Sequence, residues 1–353
     1  MYLIFSELIK GSYYVVENSE IFLDLYTAPK TFRIMPVIEQ SEYNFPSIMH
    51  RNRHVSTIYA ALFKKFEVPG YTRQKHELSD GDFINIDFII NDPKKAVILC
   101  HGLEGDSRRT YNNSCASYFQ EKGFSVFAWN NRTCGGEMNR LPRLYHHGAV
   151  DDLDDVVQFV LQKGFEDVYL IGYSMGGVQL LNYFGWTKID ERIKAGVSIS
   201  VPTHIATSAE ILKQGFNRVY LKNFTIDIKR KLKHKAAQFP DFINSDQIDN
   251  ITSFDEVDHY FTAPLHGFAS RDDYYERVSP EFSLQNITTP VLIINSLDDP
   301  FLGERCYPRA IARDSAYVYL ETPKYGGHCA FPLRNSTYSY AEKRAYDFFK
   351  SYK

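Results

Sequence analysis

The arrangement most able to do chemistry is Gly172-Tyr173-Ser174-Met175-Gly176-Gly177, a G-x-S-x-G pattern. It follows an apolar run ending at Ile171 and opens a stretch with helical spacing. On such a strand-to-helix junction the turn is tight. Positions two before and two after the serine must be small, and the hydroxyl is thrust clear of the sheet. A serine hydroxyl is a weak nucleophile until a base takes its proton. His328, in Tyr325-Gly326-Gly327-His328 beyond the last apolar run, suits that role because two glycines leave it on an uncluttered loop. A third group must fix the imidazole tautomer and stabilise the imidazolium. Asp298 and Asp299, just past Val291-Leu-Ile-Ile-Asn295, are both candidates.

Such a nucleophile also needs donors aimed at the oxygen on which charge develops. His101-Gly102-Leu103-Glu104-Gly105 follows the apolar run ending at Cys100. The backbone N–H groups of Leu103 and Met175 are expected to form this oxyanion hole; the plainer reading of His101-Gly102 is a strand-ending turn. His101 reads as a hydrogen-bonded support of that loop, and His146 and His147 as a capping or packing pair. Cys134 has no evident base beside it and reads as a small packed thiol. The chain lacks a G-x-x-x-x-G-K-[ST] loop, a G-x-G-x-x-G after a strand and a helical histidine pair with metal spacing. Chemistry without cofactor or metal is therefore expected.

The elements that must carry these residues alternate from about Gly81 onward. Phe83–Ile90, 96–100, 124–129, 168–172, 195–200, 291–295 and 316–320 read as strands, the first with one wetter face. Between them, 110–122 has helical spacing, and Val150, Leu153, Val157, Val160 and Leu161 form one apolar helix face. Asp151, Asp152, Asp154 and Asp155 favour the positive end of that helix. Buried strands alternating with helices predict a mostly parallel central sheet flanked by helices, an α/β fold. The alternation stops over about 202–285, where Phe224, Ile228, Leu232 and Phe239 have helical spacing. This stretch reads as an inserted helical cap. Residues 222–235 carry Lys222, Lys229, Arg230, Lys231, Lys233 and Lys235 against Asp227 alone. One reading is a solvated charged face. The sharper one is a basic helix that steers anionic substrates or makes a peripheral contact with anionic lipid.

A chain of 353 residues allows one large domain or two smaller ones. Its net charge of −3 argues against nucleic acid as a partner. The five scattered cysteines predict reduced thiols and a cytoplasmic location. Met1-Tyr-Leu-Ile-Phe5 is interrupted by Glu7 and Lys10, a poor signal peptide. Residues 1–40 read as an N-terminal extension of uncertain status, either a loosely docked arm or an artefact of a true start at Met35; residues 41–353 read as the domain. Aromatic residues reach 15%, and Phe261, Phe268, Tyr274 and Tyr275 of the cap are the first candidates for pocket lining.

A longer set of motifs resembles the YheT-type α/β-hydrolases, the branch that includes the eukaryotic abhydrolase-domain proteins. It comprises Asn52-Arg-His54-Val-Ser-Thr57, His101–Gly105, Arg132-Thr-Cys134-Gly-Gly136-Glu137-Met-Asn139-Arg140 and Tyr145-His-His-Gly148. Leu265-His266-Gly267-Phe268, Asp273-Tyr274-Tyr275 and Asp298-Asp299-Pro300-Phe301 complete it, across about residues 43–335. The resemblance implies a hydrolase with carboxylesterase-like activity, extending in some eukaryotic relatives to phospholipid cleavage. It implies the order Ser174, Asp299, His328 for the triad, with Asp299 preferred over Asp298. Thr133 departs from the family pattern, which usually has glycine there. The reading is a serine hydrolase of small-molecule or lipid-like acyl esters; an acyltransferase with the same triad, or a binding protein without turnover, are the alternatives.

Overall fold

Strands that read as unbroken apolar runs do so because helices cover both of their faces. In a computed structural model the described residues are 37–38, 41–43, 47–64, 66–67 and 69–352. Both readings of the segment before Met35 lie outside them. The described residues build a nine-stranded sheet. Its strands are β1 (Val37–Ile38), β2 (Thr72–Glu77), β3 (Phe83–Ile89), β4 (Lys95–Cys100), β5 (Ser125–Asn130), β6 (Asp167–Tyr173), β7 (Ile193–Ile199), β8 (Val291–Ile294) and β9 (Val318–Glu321). They lie in the order β1-β9-β8-β7-β6-β4-β5-β3-β2, parallel except at β5/β3 and β3/β2.

Two strands differ from the sequence reading. β1 lies within the stretch set apart as an extension, yet Val37 and Ile38 pair in parallel with Leu320 and Glu321. A two-residue edge strand is too short to carry a periodic signal. β2, Thr-Arg-Gln-Lys-His-Glu, carries almost no apolar side chains because it is a largely exposed antiparallel edge. The expected wet face of β3 is also absent: Asn85 and Asp87 are buried, and Asp87 takes a two-point contact from Arg73 at 2.7 Å on each oxygen.

Between the strands run α1 (Arg53–Ile58, continued by a π-wound turn Tyr59–Phe63), α2 (Thr110–Glu121), α3 (Val150–Gln162) and α4 (Met175–Trp186), and α8 (Tyr340–Phe349) follows β9. The cap between β7 and β8 holds α5 (Ile205–Leu212), α6 (Asn217–Gln238), short turns from Phe254 to Leu265, and α7 (Arg271–Val278). α3 and α4 pack together against Ala96, Ile98 and Cys100 of β4, while α2 and α8 pack together on the alternate residues. The cap has a smaller core of its own, including Ile228, Leu232, Val257 and Phe261. Ser283 donates to Asn182 of α4 at 3.1 Å and Asn182 donates to the Val278 carbonyl at 2.7 Å, so residues 279–286 rest on the body. No helix of the described residues is long and apolar enough to cross a membrane.

The loop after β5 is held by charge. Buried Arg132 grips Asp152 at the start of α3 at 2.7 and 2.8 Å, and reaches Asp82 and Asp80 at 2.8 Å. Asp152 thus serves both the helix dipole and an ion pair. Thr133 next to it has φ +67°, the left-handed region that glycine adopts without a Cβ clash. Replacing Arg132 by Met leaves Asp82 and Asp152 buried without a cation. Chemical denaturation of Arg132→Met is expected to show a loss of about 3–5 kcal/mol.

Candidate active site

Ser174 sits between the end of β6 and the first turn of α4, at φ +51° and ψ −118°. A side chain's Cβ is rarely tolerated there, and such strain persists only where the surroundings over-determine it. They do so here. A Cβ at Gly172 would land on the Gly176 carbonyl, and one at Gly176 on the Cys100 carbonyl, so helix and strands close on each other without room for a methyl. The Ser174 N–H donates to Ile199 at 2.9 Å and its carbonyl accepts from Gly177 at 2.9 Å, which secures the turn on both sides.

His328 follows β9. Its Nδ1 lies 3.0 Å from both Asp299 oxygens, so Nδ1 carries the proton and Nε2 keeps the basic lone pair. Asp298 points elsewhere and accepts the Gly327 N–H at 3.0 Å. Of the two acids, Asp299 is the one on the imidazole. Burial works against the imidazolium, but the Asp299 carboxylate together with the neighbouring Cys329 outweighs it and raises His328 above the ordinary 6.5. Phe301 covers the ring at 4.1 Å between centroids. The His328 N–H donates to Thr57 Oγ1 at 2.9 Å, which gives the Asn52–Thr57 motif a physical task. Ser174 and His328 face one cavity without a direct hydrogen bond between them, a looseness common before substrate is bound.

The 101–105 loop lies against the serine. A Cβ on Gly102 would come within 3.2 Å of the Ser174 Cβ, so only glycine lets the backbone approach this closely. The Gly102 N–H donates to Tyr111 Oη at 2.9 Å. His101 donates from Nδ1 to the Gly102 carbonyl at 2.7 Å and accepts the Asn131 N–H on Nε2 at 3.0 Å. Burial pushes it down to about 4, so it stays neutral as a support of the loop. Among the described residues neither the Leu103 nor the Met175 N–H has an acceptor. Both residues line the cavity.

Glu104, at φ +53°, extends this loop toward the cap. Its carboxylate accepts from Tyr145 Oη at 2.6 Å and from Lys231 Nζ of α6 at 2.9 Å, all three side chains being buried. Lys231 also donates to Cys134 Sγ at 3.4 Å. Burial pushes the Cys134 thiol up to about 11, which leaves it protonated. Lys235 is fully buried and donates to the Asn139 and Leu141 carbonyls at 2.5 and 2.6 Å. The basic stretch of α6 is therefore not one solvated face. Lys231 and Lys235 stand three residues beyond Ile228 and Leu232, a spacing that turns them inward with the apolar stripe.

The cavity between body and cap is walled by Ile205, Leu212, Phe224, Ile228, Leu232 and Phe261. Of the aromatic candidates, Phe261, Tyr274 and Tyr275 line it, and Phe268 packs on the Tyr274 ring at 5.0 Å. His147 faces Tyr274 Oη at 2.8 Å and burial holds it at about 4. His146, also on the wall, is held well below its ordinary value by burial and by the neighbouring His266.

Residues 95–334 match the alpha/beta hydrolase fold family. The chain is 30% identical over 287 residues to the putative esterase YheT of Escherichia coli, covering 79% of this chain and 84% of the relative. The chain belongs to the YheT branch of the α/β-hydrolases. It is also 28% identical over 307 residues to the phospholipase ABHD3 of Bos taurus, covering 84% of this chain and 74% of that one. The esterase Pf2001 of Pyrococcus furiosus shares the fold, with TM-score 0.54 at 13% identity over 80% of this chain and 91% of that one.

In this α/β-hydrolase the sequence did not single out Tyr111, nor the tasks of Thr57 and of the Glu104–Lys231 pair, although the inward spacing of Lys231 was there to be seen. Two outcomes are expected of them and of the His328–Asp299 pair. Because Asp299 raises the imidazole pKa, activity that needs neutral His328 rises with pH through a limb above 6.5. In Asp299→Asn that limb moves to lower pH while kcat falls by about 10⁴, as pH–rate profiles of both forms will report. Lys231→Met strands the Glu104 carboxylate and loosens the Leu103 loop. Steady-state kinetics should show kcat down about tenfold with KM little changed, less than the roughly 10² to 10³ lost with an oxyanion donor itself; Lys231→Arg should recover most of it.

Proposed function

We propose that the protein is a serine hydrolase of carboxylic esters with lipid-like acyl chains. The observation that carries the reading is the convergence on one apolar cavity of Ser174, the Asp299-bound His328 and the unpaired N–H groups of Leu103 and Met175. In the proposed mechanism His328 Nε2 takes the Ser174 proton as Oγ bonds to the acyl carbon. The carbonyl oxygen becomes an oxyanion held by the Leu103 and Met175 amides, and Asp299 stabilises the imidazolium. Collapse breaks the ester C–O bond, and the alcohol leaves with the proton from His328. Water, deprotonated by the same imidazole, then attacks the acyl-serine; the second collapse returns Ser174 and frees a carboxylate.

The lipid-like acyl group follows from the walls. Aliphatic and aromatic side chains from α5, α6 and the cap turns surround the serine, so burying methylenes there contributes roughly 0.8 kcal/mol each. The names of the relatives, an esterase and a phospholipase, agree with an ester of this kind.

A panel of esters of graded acyl length, run on wild type and Ser174→Ala, tests the reading. Wild type is expected to prefer longer acyl chains and Ser174→Ala to lose activity on all of them, with fluorophosphonate labelling lost in parallel. Undiminished cleavage by Ser174→Ala would overturn the mechanism. Product analysis with water and an alcohol in competition separates hydrolysis from acyl transfer: a free acid as the main product supports the hydrolase.

A further inference from the structure

Ester cleavage makes no use of the outward face of α6, nor of the exposed face of α1, whose buried Thr57 supports the His328 loop. Phe216, at the N-cap of α6, and Val219 and Ile226 fall at i, i+3 and i+10, on one helix face. They are 49, 49 and 54% exposed. On α1 and its π-wound turn, Val55, Tyr59, Leu62 and Phe63 recur at one-turn intervals, and the last two are 69 and 67% exposed. The two helices meet where His54 packs on Phe216 at 4.7 Å and faces Tyr220 Oη at 3.2 Å. Single exposed apolar residues are ordinary on a protein surface, but two adjoining rows of them are not.

Cations accompany the rows. Arg53, Arg218 and Lys222 are exposed and have no carboxylate partner among the described residues, whereas half-buried Lys229 donates to the Asp249 carbonyl and its charge also acts on the Asp249 carboxylate. Arg230 and Lys233, on the same outward face, are paired with Asp227 and Asp249. An apolar stripe with uncompensated cations beside it suits the interface of an anionic bilayer, whose headgroups attract the charges while the acyl layer takes the side chains. The surface also adjoins the cavity. Tyr220 packs on Phe301 at 4.9 Å, Phe301 lies on His328, and Thr57 of α1 holds the His328 backbone.

We propose that α1 and the outward face of α6 seat the protein on an anionic lipid bilayer, with Phe216, Val219, Ile226, Leu62 and Phe63 entering the headgroup layer. Arg53, Arg218 and Lys222 contact its anionic headgroups. The seat puts the acyl chains of the bilayer beside the cavity; only this last point rests on the ester-hydrolase reading.

The full chain carrying Ser174→Ala, which removes turnover, is sedimented with vesicles of phosphatidylcholine with and without phosphatidylserine. Binding is expected to favour the serine-lipid vesicles and to weaken with added salt. Arg218→Glu/Lys222→Glu is expected to bind at least roughly tenfold more weakly, and Phe216→Ser/Val219→Ser/Ile226→Ser to lose binding. In the Ser174 background both surface variants should keep the wild-type thermal midpoint and the turnover of a water-soluble short-chain ester. Equal binding of all forms, binding indifferent to phosphatidylserine, or no binding overturns the proposal. So does a dimer in sedimentation equilibrium that the apolar variant dissolves, which assigns the surface to a second copy. Vesicle binding that persists in a chain inactive on every ester supports the surface and sinks only the ester reading.

Discussion

The close approach of α4 to the carboxyl ends of β4 and β6 governs the site. Glycine on each side of Ser174 lets backbone meet backbone where a methyl would collide with the Gly176 or Cys100 carbonyl. That approach forces the serine to positive φ and aims its hydroxyl out of the sheet. It also points the Met175 amide at the same space. The adjacent strand end then delivers Gly102 against the serine, and the Leu103 amide comes with it. The Ser174 hydroxyl and the Leu103 and Met175 amides are thus brought together by backbone packing at one junction of the sheet.

What the junction leaves loose, polar side chains secure. His101, Tyr111 and Asn131 fix the first turn of the 101–105 loop from below. Glu104 fixes it from above, through Tyr145 and the α6 lysine. A buried carboxylate and ammonium are costly to desolvate and worth retaining only when both are paired and further hydrogen-bonded, which Tyr145 and Cys134 accomplish. The consequence is mechanical. α6 cannot shift without disturbing the loop beside Ser174, so the cap that walls the cavity also braces the site beneath it.

Much of this was legible in the chain. The G-x-S-x-G elbow, the alternation of buried strands and helices, and His328 behind its glycines are local patterns, written in neighbouring residues and in periods of two and 3.6. β2 was not legible, because an exposed edge strand needs no apolar side chains. Asp298 and Asp299 could not be told apart by sequence pattern alone, since adjacent positions in a turn point opposite ways and only the fold says which one meets the imidazole.

The lysines of α6 mark the same division. Sequence by itself determined that the helix would be basic and would carry an apolar stripe. Tertiary structure decided what the inward cations meet, Glu104 for Lys231 and the Asn139 and Leu141 carbonyls for Lys235. The reason is that a charge is buried only where distant residues supply its partners. Glu104 lies 127 positions from Lys231, and no local period encodes their meeting.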